Sequence, residues 1–187
     1  MRTRDPFGQA LTALRRAVRD GMAPGQHLPI ADIAGHLRLS TSPVREALSR
    51  LCGEGLIEDR RGLGYFTRAA PTEEIIGLIQ LEEAYVRLAA NLNRVSTPLS
   101  GTDADFESWI SALISDCDSD PLKESFERVA SRLAPIRALG REEEVDAAVR
   151  HGSIEAYYAR WISAAPGLAR RMRRLEPADV EYTNNAV

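Results

Sequence analysis

The sequence is poor in the side chains that most often hold metals or form cross-links. Only two cysteines occur, Cys52 and Cys117, far apart and without metal-ligand spacing, so they read as small packed residues of a reducing compartment. Three histidines, His27, His36 and His151, are scattered, and no two share a helical face at the four-residue spacing of a zinc pair. No apolar run approaches the ~18 residues that would suggest a membrane span. The opening Met-Arg-Thr-Arg-Asp-Pro lacks the apolar core of a secretion signal, so a cytoplasmic location is expected. Enzyme signatures are missing as well. There is no nucleophile-elbow glycine pair, no phosphate loop and no histidine beside a plausible nucleophile. The carboxylates Glu142, Glu143 and Glu144 read as a solvated helix start, favourable at the positive end of the dipole. No enzymatic activity, no cofactor and no metal are expected.

What is present fits a folded chain: 187 residues, 44% hydrophobic and 27% charged, enough for a small domain joined to a medium one. The net charge of −3 conceals an asymmetry. Residues 1–70 carry 11 arginines against 7 acidic groups, a balance of +4, and residues 71–187 carry −7. A basic head on an acidic body suits a nucleic-acid-binding module attached to a separate partner or ligand domain.

Periodicity orders the basic half. Asp5-Pro6 offers an N-cap acceptor followed by a first-turn proline, and Leu11, Leu14, Ala17 and Val18 form a buried stripe. Gly21 is expected to stop this helix, and Pro24-Gly25 to turn the chain. A short helix near Ile30–Leu37 faces Ile33, Ala34 and Leu37 inward, and Arg38-Leu39 links it tightly to a third. In that third helix Ser40, Thr41 and Ser42 supply capping hydroxyls, and Pro43 is tolerated in the first turn. Val44, Ala47, Leu48 and Leu51 make its buried face, whereas Thr41, Arg45 and Ser49 share a polar one. Gly53 and Gly55 end it. Leu56–Asp59 then reads as a strand, Arg60–Gly64 as a turn and Tyr65–Thr67 as the returning strand. Three helices and a basic, glycine-tipped hairpin make a winged helix-turn-helix.

Pro71-Thr72 marks the expected boundary between domains at 1–70 and 71–187, with Thr72 an N-cap. The long helix that follows, to Asn93, carries Leu78, Leu81, Tyr85, Leu88 and Leu92 on one face. Residues 96–102 are a loop. Phe106, Trp109, Ile110 and Leu113 mark a second helix, closed by a polar break at Asp116–Asp120. Pro121 opens a third, with Leu122, Phe126, Val129, Leu133 and Ile136 inward. Further helices are expected over 142–150, 153–164 and 167–174. With no strand signal after residue 70, the chain is mainly α, a winged helix-turn-helix followed by an all-α bundle.

Residues 11–68 resemble the DNA-binding domain of the GntR family of bacterial regulators. The resemblance rests on Leu14-Arg15, Gly21, Pro24-Gly25, Leu28, Ile33-Ala34, Leu37 and Ser40. It continues through Pro43-Val44-Arg45-Glu46-Ala47-Leu48, Leu51, Glu54-Gly55-Leu56-Ile57, Arg61-Gly62 and Phe66. It implies a third helix that enters the major groove, where each base pair displays a distinct pattern. The DNA-contacting residues it implies are Ser40, Thr41, Ser42, Arg45, Ser49, Arg60, Arg61 and Gly62. Arg45 is the candidate for a guanine edge or a phosphate. Thr41, Ser42 and Ser49 offer shorter hydrogen bonds, and Arg60-Arg61-Gly62 lies along the minor groove or backbone. Thr41 stands where the family commonly has arginine. His36 is expected at the surface.

The helical half resembles, more distantly, a shortened effector domain of the FadR-like branch of that family. The resemblance uses Asp120-Pro121-Leu122 and Ala148-Val149-Arg150-His151-Gly152. Metal-binding positions of that branch fall here on Asp103 or Glu107, Ser111, Glu142 and Ser163 or Ala164, so the histidines are lost. The arginine usual in the long helix is Glu82. Arg87 and His151 are candidate ligand contacts, with solvated or structural roles as the competing reading. The arginines at 170, 171, 173 and 174 suit a helix C-terminus. The expectation is a sequence-specific regulator, a repressor, acting as a homodimer on a palindromic operator of double-stranded DNA. It leaves room for a small-molecule effector and involves no membrane. The alternative is a winged helix used for protein contact, without an operator.

Overall fold

A computed structural model describes residues 5–19, 22–94, 103–142 and 153–175. The element order among them is α1 (Pro6–Arg19), α2 (Ile30–Leu37), α3 (Thr41–Gly53), β1 (Ile57–Arg60), β2 (Gly64–Thr67), α4 (Thr72–Asn93), α5 (Asp103–Ser115), α6 (Asp120–Glu142) and α7 (Ile154–Leu175). The architecture is a winged helix-turn-helix with a two-stranded wing, followed by helices alone. Gly21, the loop at 96–102 and His151 lie outside the described residues, as does the helix expected at 142–150 except for Glu142, which is the last residue of α6 rather than a helix start.

Asp5 caps α1 as the sequence implies, its Oδ1 accepting the Gly8 amide at 3.0 Å. Ala10, Leu14 and Val18 pack inward against Val44, Ala47, Leu48 and Leu51 of α3 and Ala34 of α2. The α2–α3 link turns at Arg38, whose φ of 54° lets its amide reach back to the last turn of α2. At the far end of α3 the Leu56 amide bonds Leu51 O and the Gly55 amide bonds Cys52 O, with Gly55 at φ +73°. That pairing closes the helix in the left-handed manner only glycine adopts without strain, and it aims the chain into β1.

β1 and β2 pair antiparallel from Ile57↔Thr67 to Arg60↔Gly64, so β1 is displaced by one residue from its sequence-derived bounds and β2 starts one residue earlier, at Gly64. Residues 25–28 lie along the other side of β2. The Leu28 amide bonds Tyr65 O at 2.8 Å, and the Thr67 amide bonds Gln26 O at 2.9 Å. The buried Thr67 hydroxyl accepts the Gln26 amide and donates to Ala23 O.

In the helical half α4 packs against α5, α6 and α7 around a second hydrophobic cluster, separate from the first. Three expectations are corrected here. Neither Ser40 nor Thr72 caps a helix through its side chain. Ser40 occupies the cap position of α3 without such a bond, and Pro71 takes that position before α4. Pro166-Gly167 does not divide the last helix; α7 runs through it. Ile154, Tyr157, Tyr158, Trp161, Ala165, Leu168, Ala169 and Met172 are all buried at helical spacing, and that unbroken stripe outweighs the ~3 kcal/mol an interior proline costs. Finally, α4 is rotated from its expected orientation. Its buried residues are Ile75, Leu78, Ile79, Glu82, Val86 and Ala89, while Leu81, Leu88 and Leu92 face solvent. The helix carries two apolar stripes, and the bundle takes the one with branched and small side chains.

Candidate nucleic-acid interface

The buried face of α3 turns its opposite face away from the core, outward at its N-terminal half and toward the helical half at Ser49 and Arg50. Val44, Ala47, Leu48 and Leu51 are wholly buried, so Thr41, Ser42, Arg45 and Ser49 stand outward together. Arg45 is exposed and makes no ion pair among the described residues. The Ser42 hydroxyl donates to Glu46 Oε1 at 3.3 Å, one turn along. Ser40 is exposed immediately before the first turn. Beside it stands Arg38, also exposed, which the sequence reading treated only as a link. Its signal was a basic residue in the turn of a helix-turn-helix motif.

One end of this helix is anchored. Glu54, its C-terminal cap residue, accepts two hydrogen bonds from the Arg15 guanidinium at 2.8 Å and one from Arg50 Nε at 2.9 Å. Arg15 belongs to α1, so the carboxylate fixes the direction in which α3 leaves the core. Periodicity does not reveal such a tie, because each partner is a polar residue on a surface position.

The two wing arginines are placed differently. Arg60 Nε donates to Glu58 Oε1 at 2.6 Å, and its guanidinium lies 4.4 Å from the centre of the Phe66 ring. The His27 ring lies against the same ring, tilted by 39° with the centroids 4.9 Å apart. Arg61 is exposed at the tip. The turn closes through the Leu63 amide to Arg60 O at 2.8 Å, with Gly62 at φ +79°, the conformation a type II turn needs at its third residue. An added Cβ on Gly62 meets nothing within 4 Å, so its surface is open to close approach by a backbone.

The outer face of α3 and the tip of the wing therefore present Thr41, Ser42, Arg45, Arg61 and Gly62, with Arg60 held against the hairpin. Such a set offers a long, planar multi-donor group and short hydroxyls on a packed helix, flanked by a charged turn tip. It is chemistry suited to groove edges and phosphates.

Ser49 and Arg50 lie where α3 approaches the helical half. There a cleft of about 1040 Å³ opens between α1, α3, α4 and α6, lined by Arg15, Arg19, Arg50, Tyr85, Lys123 and Arg128 among others. Beside it Glu74 of α4 accepts from Arg68, at 2.6 and 2.8 Å, and from Arg132 of α6. This carboxylate joins the strand that leaves the wing to the bundle.

Within the bundle the residue at 82 is buried completely. The Arg137 guanidinium donates to both Glu82 oxygens, one at 3.1 Å, in a forked pair. Burial pushes the Glu82 carboxyl above the ordinary range, against the pull of Arg137. The Tyr158 phenol is raised by the same burial and by the nearby Glu82 charge. Of the positions aligned with metal ligands, Ser111 donates from its hydroxyl to Glu107 O of its own helix. Among the described residues no group of three or more histidine, cysteine or acidic side chains is arranged to hold a metal. Arg87 pairs with Glu83 along α4 at 2.7 Å. His36 is exposed, Cys117 is buried and Cys52 half-buried, both as free thiols.

A family model described as bacterial regulatory proteins, gntR family, matches residues 8–66. Among curated proteins the chain is similar to the Nta operon transcriptional regulator of Aminobacter aminovorans, 32% identical over 152 residues that span 78% of this chain and 69% of that one. Among solved structures it is similar to E. coli McbR/YncC, with 21% identity, TM-score 0.42 and coverage of 94% of this chain and 79% of the other. Lar, described as controlling the expression of the Listeria monocytogenes agr system, is similar at 16% identity and TM-score 0.40, over 94% of this chain and all of that one.

Proposed function

The chain belongs to the gntR family of bacterial regulatory proteins and is a DNA-binding transcriptional regulator, and from that premise we propose that it is a homodimeric repressor of a palindromic operator. Residues 1–70 form the DNA-binding domain in this reading, and residues 71–187 form a divergent helical domain of the FadR-like branch that pairs two copies and has no enzymatic role. Two separate hydrophobic clusters support the division. Among the described residues no helix is long and apolar enough to cross a membrane, in keeping with a cytoplasmic regulator.

One observation carries the reading. The outer face of α3 is polar, unoccupied by the fold and centred on Arg45, on a helix whose inner face is fully packed. Arg45 reads a guanine edge through its forked donors, and Thr41, Ser42 and Ser49 add shorter contacts. Ser40 and the first-turn amides meet a phosphate, as helix N-termini do. Arg61 and Gly62 lie against the sugar-phosphate backbone. Arg60 supports the wing and adds its charge to the same field. A single such helix reads only a few base pairs, so twofold pairing supplies the remaining specificity. A small-molecule effector would find its seat in the cleft between α3 and α6, where occupancy bears on the direction of the recognition helix.

The test is selection of bound sequences from random duplex DNA, with wild type and Arg45→Ala compared across a salt series. An enriched palindrome that the variant no longer selects is the expected result. Weak binding, indifferent to sequence and to Arg45, would overturn the operator reading and favour a protein-interaction module.

A further inference from the structure

The outward face of α4 has a period of its own. Gly77, Leu81, Ala84, Leu88 and Asn91 recur at intervals of four, three, four and three, and Leu92 follows. All six are exposed, although the opposite face of the same helix is buried in the bundle. Leu81, Leu88 and Leu92 are exposed by 42%, 48% and 56%, and Leu63 at the wing tip is the other large hydrophobic side chain this open among the described residues. A spacing averaging 3.5 residues is the seam of two paired helices rather than the 3.6 of a helix lying on a core. Small and large residues alternate along it, which lets two backbones approach closely.

We propose that this seam is the homodimer interface, with α4 packing antiparallel against α4 of a second copy around a twofold axis at Ala84. The proposal rests on the homodimer reading above and names its surface. Charge and symmetry together select the occupant. Leu81 and Leu88 are centred between Ala84 and Tyr85, so in an antiparallel pair with its axis beside Ala84 each Leu81 meets the second copy's Leu88. Gly77 and Asn91 lie seven residues to either side of Ala84 and likewise meet. Glu73, exposed in the acidic first turn, lies eleven residues before the axis, and Arg94, exposed at the C-terminal cap, lies ten after. Each end of the helix thus faces an opposite charge on the second copy, and the two helix dipoles oppose. A parallel pair would set Glu73 against Glu73 and Arg94 against Arg94. The charge pattern complements itself only in the antiparallel sense, and the resulting twofold pair is an isologous interface. At 22 residues α4 offers a contact about 33 Å long. Leu81 also lines the cleft beside α3, so the seam starts at the border of the DNA-binding half.

Sedimentation of the full chain tests this with wild type, the double variant Leu81→Glu/Leu88→Glu and Ala84→Cys, the last in a Cys52→Ser background. Wild type should dimerise, and the double variant should associate at least ~100-fold more weakly while keeping its circular dichroism. Mild oxidation should join Ala84→Cys into a covalent dimer, and a Ser111→Cys control on α5 should stay single. A wild-type dimer matched by the double variant, with no cross-link through position 84, would overturn the seam and leave the homodimer standing. A wild type that is monomeric at every concentration would overturn both. If the glutamates unfold the chain, the cross-link alone decides.

Discussion

Arg45 and Arg61 are both exposed arginines, yet they stand in different settings, and the proposed operator contact gives them different work. Arg45 projects from a helix whose opposite face is locked, so its fork has a fixed origin and can discriminate one base edge. Arg61 projects from a turn tip and can do little more than follow a phosphate. Replacing Arg45 by alanine should cost about 1–3 kcal/mol per half-site and relax preference at one base position. Replacing Arg61 should weaken all sequences alike and lower the salt slope by about one per copy. Titrations of a selected operator and a scrambled duplex at several salt concentrations separate the two patterns. Thr41 allows the reverse test. It is exposed in the first turn of α3 and has no charge, so Thr41→Arg should tighten binding to scrambled DNA and steepen the salt slope by about one per copy. An unchanged slope would mean that position 41 does not face the phosphates. The sequence disclosed which side chains of α3 are exposed, because one buried periodicity fixes the opposite face. It did not disclose that Arg60 is held by Glu58 and Phe66, since the sequence pattern placed Arg60 in the turn and the structure places it at the end of β1, two residues from Glu58 and across the hairpin from Phe66.

At the scale of elements, α4 holds the case where composition and packing part. The leucines were the natural inward face by hydrophobicity, and a glutamate was the least natural. The bundle buries the glutamate because Arg137 of α6 arrives with a matching fork, and only the tertiary arrangement of α4 and α6 supplies that partner. A pair of this kind costs desolvation at both ends, so its removal one half at a time differs from its removal as a whole. Glu82→Ala should destabilise the chain by about 3–5 kcal/mol, since it strands a buried guanidinium. Glu82→Leu combined with Arg137→Met should recover most of that loss, and urea unfolding of the three proteins measures it. Equal damage from the single and double variants would mean that shape, not charge, matters at this position. The other elements were legible from sequence where one periodicity ran alone, as in α2, α3 and α5. The sequence misled where a local rule met a stronger tertiary one. Pro166 lies inside α7 because eight buried side chains hold the helix together across it.

For the whole molecule, the distribution of charge matters more than its sum. A net −3 would repel DNA at long range, but the +4 of the first 70 residues lies on the half that carries α3 and the wing. The acidic remainder turns the molecule so that this half meets the duplex. If two copies pair along α4, two recognition helices are presented at once, and the operator must repeat with about one helical turn, roughly 34–36 Å, or a multiple of it between half-site centres. With about three phosphate contacts from each copy, the logarithm of affinity should fall against that of salt with a slope near −5. Adding five base pairs between the half-sites rotates one of them to the far side of the duplex, about half a turn. Affinity should then drop to that of a single half-site, and adding ten should restore part of it. The Leu81→Glu/Leu88→Glu variant should bind all three spacings alike, with about half the salt slope, because each copy then binds alone. If the lengthened operators bind wild type as tightly as the original, the two DNA-binding halves are joined too loosely to measure spacing, and the palindrome would reflect independent binding by two copies rather than a rigid dimer.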